Sequence, residues 1–147
     1  MKTAIIGGVL ATLLFTSSAV ARHTGLNGTW NLIPTRSDFA GQPVMQTGTV
    51  TINERNGDIS VERNFAYEGA TGTTFYKDMI DSENSATIHN GKEFKTKARW
   101  DHDVLRVTTT VSGAVTQESY TLAADGTMMV NVAKPGSKPI TLYFERK

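Results

Sequence analysis

The chain has 147 residues, with 15 Lys and Arg against 14 Asp and Glu, and no cysteine. The missing thiols exclude a disulfide scaffold and thiolate metal sites, and a near-neutral balance without basic patches interleaved with aromatics argues against a nucleic-acid partner. Stability must then come from buried apolar surface, and a domain of this size buries about two-thirds of what its unfolded chain exposes.

The first segment reads as an export signal. Lys2 precedes the uncharged apolar run Ala4 to Phe15, and Ser18-Ala19-Val20-Ala21 ends in the small-x-small pattern that signal peptidase cuts. The run falls short of the ~20 residues a spanning helix needs. Residues 1–21 are therefore expected to be a cleaved signal peptide, with the product periplasmic or secreted and without a transmembrane anchor. No cysteine follows the run, so a lipid anchor at a lipobox is not expected. Loss of Lys2 brings the formal charge to zero.

Residues 22–147 are expected to form one domain, since no low-complexity linker divides them. Their dominant period is two. Predicted strands run over Gly28 to Ile33, Thr47 to Glu54, Asp58 to Tyr67, Thr71 to Ile80 and Ala86 to His89. They continue over Glu93 to Trp100, Val104 to Val111, Val115 to Leu122, Thr127 to Ala133 and Pro139 to Arg146. Turn signals separate them: Asn56-Gly57, Glu68-Gly69, Asn90-Gly91, Ser112-Gly113 and Asp125-Gly126. Glu93 to Trp100 alternates most clearly, with Phe94, Thr96, Ala98 and Trp100 on one face and Glu93, Lys95, Lys97 and Arg99 on the other. One helical turn is expected at Arg36 to Gly41, capped by Ser37 and Asp38. The pattern predicts an all-β, antiparallel up-and-down meander of about 8–10 strands closed into a small barrel. A two-sheet β-sandwich is the alternative.

The opening of the first strand, Gly28-Thr29-Trp30, followed by Asn31-Leu32-Ile33-Pro34-Thr35-Arg36-Ser37-Asp38-Phe39, resembles the start of calycin-superfamily chains, the lipocalins and the fatty-acid-binding proteins. With Trp100-Asp101 and Asp125-Gly126, the chain looks most similar to small exported bacterial lipocalin-like proteins of unknown function. The resemblance implies a lipocalin-like barrel in which Gly28, Trp30 and Arg146 close one end, Arg146 packing across the Trp30 indole. It also marks departures. Pro34 to Gln46 is too short for the helical lid of fatty-acid-binding proteins. Their last-strand Arg-x-Tyr is replaced by Thr141-Leu142-Tyr143, which keeps Tyr143 as the match but has no arginine.

Arg63 falls between Val61 and Phe65 on the predicted dry face. It is a charged anchor for a ligand, an interior partner of Glu118, or a residue flipped outward by a β-bulge, since buried charges persist only when paired. Phe65, Tyr67, Phe75, Phe94, Trp100 and Tyr120 either line a cavity or fill the barrel. Asp101-His102-Asp103 has metal-ligand residue types but sits at a hairpin tip, where Asp favours turns; His23 and His89 are remote in sequence, so no metal is expected. No Gly-x-Ser-x-Gly context occurs, and paired acids such as Asp78 and Asp81 fall at turns or on wet faces. The expectation is a binding protein and not an enzyme, with no cofactor. A small hydrophobic or amphipathic ligand is held in the barrel mouth by Arg63, Phe65, Tyr67, Phe94, Trp100, Tyr120 and Tyr143. A filled barrel serving as an inhibitor, protein-interaction or envelope-assembly module is the alternative.

Overall fold

The computed structural model describes residues 24–55, 58–69, 72–80, 84–89 and 91–147, with side chains left undescribed at 24, at the strand ends 55, 58 and 68–69 and throughout 72–80 and 84–89. The signal segment 1–21, His23, the Asn56-Gly57 turn and Asp81 lie outside the described residues, as do the side chains of Phe75, Asp78 and His89. Alternation of apolar and polar residues becomes ten strands. These are β1 (Gly28–Leu32), β2 (Met45–Arg55), β3 (Asp58–Gly69), β4 (Gly72–Ile80), β5 (Asn84–His89), β6 (Lys92–Asp101), β7 (Val104–Val111), β8 (Ala114–Leu122), β9 (Met128–Ala133) and β10 (Ile140–Arg146).

All ten belong to one antiparallel ladder in the order β4-β3-β2-β1-β10-β9-β8-β7-β6-β5. The first and last strands pair, Trp30 opposite Arg146, so the meander joins its own ends and leaves β4 and β5 as the ladder's termini. A single ladder sets the sandwich aside. The sheet is rolled: Arg63 of β3 bonds Glu118 of β8, although five strand spacings of a flat sheet would hold them about 24 Å apart. The result is a nearly closed barrel.

Local chemistry explains the turns and the one break in register. Val111 pairs with Ala114, and the intervening Ser112 and Gly113 have φ of 48° and 81°. Positive φ at both positions is the geometry of a two-residue type I′ hairpin, which glycine adopts without strain. In β2 the inward residues are Gly48, Val50 and Ile52, yet Met45, odd in number, is buried as well. A register shift between Met45 and Thr47 inserts one residue and brings Met45 back to the inner face. The helical turn falls earlier than expected. It is a 3₁₀ turn over Pro34–Arg36 with proline at its start, where a missing N–H costs no hydrogen bond. Asp38 does not cap it; its Oδ1 accepts the Ala40 N–H, 2.8 Å away, and shapes the following turn.

Among the described residues the core gathers the inward side chains of β1, β2, β3 and β6 to β10 with Leu26 and Phe39. At the end where β1 begins it is packed solid. Trp30 is fully buried, and its indole N–H donates to the Leu26 carbonyl at 2.9 Å. The Arg146 guanidinium lies 4.2 Å from the Trp30 ring centroid and donates to the carbonyls of Asn27 and Gly25, each at 2.7 Å. Gly28 has φ of 127°, and a β-carbon there would come within 2.8 Å of Arg146 Nη1. Glycine thus gives the arginine room to lie over the indole.

Candidate functional site

Toward the other end the same inward rows do not meet, and a cavity of about 280 Å³ remains between them. That volume is near the lower edge of the ~300–1,000 Å³ usual for small-molecule sites. Its wall is mostly apolar. Val50, Val130, Val132, Leu142 and Phe144 supply aliphatic and aromatic surface, and Phe65, Tyr67 and Phe94 add rings. Gly48 matters to this wall. It stands opposite Phe65 in the ladder, and a β-carbon on it would sit 2.5 Å from the Phe65 ring, so its absence lets that ring lie down along β2.

The wall carries one buried polar cluster. Arg63 keeps its inward place in an unbroken register, opposite Val50, which in turn faces Trp30; the cluster therefore sits on the packed-end side of the cavity. The arginine is 5% exposed. Its Nη1 donates to Glu118 Oε2 and, at 3.4 Å, to Tyr120 Oη. The Tyr120 hydroxyl donates to the same carboxylate oxygen at 3.3 Å. A guanidinium in so dry a place needs such a partner, because an uncompensated buried charge is strongly destabilising. Burial, reinforced by the Glu118 carboxylate, drives the Tyr120 phenol far above its ordinary value, with Arg63 opposing. Tyr67 is raised by burial too, against the opposing pull of Arg63. Both tyrosines are therefore neutral hydrogen-bonding groups at physiological pH. Lys134, which follows β9, adds a cationic group to the lining.

Of the seven residues expected at the site, Arg63, Phe65, Tyr67, Phe94 and Tyr120 line this cavity, whereas Trp100 and Tyr143 do not. Trp100 pairs with Leu105 at the far end of β6 and packs on the core as a half-buried ring. Tyr143 is a correction. On β10 the inward residues are Ile140, Leu142 and Phe144, so Tyr143 points outward, and its ring carries the Arg36 guanidinium at 4.3 Å. The last-strand match placed it by analogy; the alternation of the strand itself decides against it. The Asp101 carboxylate at the β6–β7 turn is taken up by Arg106 Nε at 2.7 Å and His102 Nδ1 at 3.1 Å. Among the described residues no three metal-ligating side chains converge.

Sequence reasoning missed Gly48 and Lys134, and it passed over the β9 and β10 rows of Val130, Val132, Leu142 and Phe144. Their alternation was a usable signal for which face they occupy. No sequence signal separates a residue that fills the interior from one that borders a space.

No family model and no curated protein matches the chain. Solved structures do match, and they share its fold. The fluorescent protein UnaG has 16% identity over 86% of this chain and 100% of its own, with a TM-score of 0.59. A Schistosoma mansoni fatty acid binding protein in complex with arachidonic acid has 14% identity over 85% and 98%, with a TM-score of 0.60. A secretory abundant heat soluble protein from Ramazzottius varieornatus has 12% identity over 84% and 96%, with a TM-score of 0.58. At such identities the likeness shows the barrel fold and nothing finer.

Proposed function

We propose that this protein is an exported carrier that takes a small, partly apolar molecule into its barrel. The observation that carries this reading is the cavity itself: an apolar-walled space bordered by one compact polar cluster, the arrangement that buries a ligand's body and orients its polar end. The barrel likeness to a fatty acid binding protein solved with arachidonic acid supports it. The bound molecule buries its hydrocarbon against Val130, Val132, Leu142 and Phe144, and Arg63, Glu118 and Tyr120 fix its polar group. The filled-barrel alternative has less support, since the large apolar residues exposed among those described, Val44, Val115 and Leu122, stand just before β2 and at opposite ends of β8. Export rests on residues 1–21, with cleavage after Ala21; amino-terminal sequencing of the secreted form tests it, and a start at Met1 would refute it.

Native mass spectrometry on protein purified gently from its own source tests the binding role. The expected result is a defined adduct that denaturation releases. A bare polypeptide mass, together with no uptake of added Nile red, would overturn the reading.

A further inference from the structure

We infer that the cavity selects a ligand whose buried end is an uncharged hydrogen-bond donor, such as a hydroxyl or amide, and disfavours a free carboxylate. The inference rests on the binding role proposed above and specifies its ligand class. Among the described residues Arg63 is the one cation of the buried cluster, and Glu118 pairs with it. The Tyr120 hydroxyl proton is also directed to Glu118 Oε2. Both contacts use that one oxygen, and among the described residues Oε1 of Glu118 accepts no hydrogen bond. Glu118 lines the cavity and retains 13% side-chain exposure. The position that Glu118 leaves open is therefore an acceptor carrying negative charge. A ligand O–H or N–H completes the carboxylate's bonding. A ligand carboxylate that reaches the cluster meets the like charge of Glu118 and must shed its water beside an ion pair whose own charges cancel. Lys134 follows the end of β9 and is solvent-exposed, so water screens its charge.

Calorimetric titration of the purified protein with decan-1-ol and with decanoate at pH 8 tests this. The alcohol is expected to bind at least about tenfold more tightly, a difference of ~1.4 kcal/mol. Glu118→Gln should shift the ratio toward decanoate by at least about tenfold, because Arg63 then loses its counter-charge. Should that variant fail to fold, the wild-type protein decides alone. Decanoate affinity should rise as pH falls toward the ligand's own pKa and its protonated form accumulates, while decanol affinity stays flat. Equal or tighter binding of decanoate at pH 8 would overturn the inference and leave the binding role standing. Binding of neither compound, with no uptake of Nile red, would overturn both.

Discussion

The two halves of the barrel interior are built by the same strands on the same alternation, yet one is solid and the other hollow. In the packed half, Trp30, Leu26, Ile52 and Val61 meet with essentially no exposed surface, and the polar atoms around the indole find partners in backbone carbonyls. In the hollow half, Phe65, Tyr67 and Phe94 remain half-buried around open space, and the bonds of the polar cluster run from side chain to side chain. Backbone carbonyls belong to the scaffold and hold still. A side-chain cluster beside a cavity can exchange a bond with an incoming group. The contrast places stability at one end and, under the proposed function, recognition at the other.

The largest expected effect lies in the packed half. Trp30→Ala should lower unfolding free energy by about 3–5 kcal/mol, as truncations of buried aromatics do. Urea denaturation checks it, and an unchanged midpoint would remove Trp30 from the core. In the hollow half, Arg63→Met should lose about 3 kcal/mol by stranding the Glu118 carboxylate, and Arg63→Met combined with Glu118→Leu should recover most of it. Additive losses in that double mutant would show that the pair acts through packing and not through charge.

A matched pair of enlargements sharpens the contrast further. Val61→Phe overfills a packed site and should cost about 1–3 kcal/mol. Val132→Phe grows into the cavity, should cost less than ~1 kcal/mol, and should abolish Nile red uptake. Equal penalties at the two sites would mean that the space beside Val132 is not available to a side chain. The smallest effect is on the outer surface. Hydrogen bonds from the Thr127 hydroxyl and N–H, with the Arg36 guanidinium at 2.8 Å, hold the Asp125 carboxyl down at about 2. A depressed folded-state value stabilises the fold above the unfolded value of ~3.9, and the contribution fades as pH falls toward 2. Melting temperatures of wild type and Asp125→Asn should therefore differ slightly at pH 6 and converge by pH 2.

Much of the architecture was legible because period-two alternation is a property of single strands. Ile59, Val61, Arg63, Phe65 and Tyr67 were readable as one face of β3 from chain pattern alone, while Glu118 was one of three alternatives open to Arg63. Tyr143 went astray because a short last-strand motif was matched by position, while the strand's own pattern of Ile140, Leu142 and Phe144 pointed the other way. Met45 was unreadable for a different reason. A bulge changes the parity of a strand, and nothing in Met45-Gln46-Thr47 announces it.

By itself the sequence determined the all-β class, the order of the strands, the face of most of their residues and the Ser112-Gly113 turn. These depend on backbone φ preference and on which side of each strand is apolar, both local quantities. Only the tertiary structure decided that Arg63 and Glu118 meet across the interior, that Gly48 makes room for Phe65, and that the rows of β9 and β10 stop short of filling the barrel. Those outcomes depend on how far the sheet rolls and on the summed volume of side chains from eight strands. No segment of the chain carries that sum.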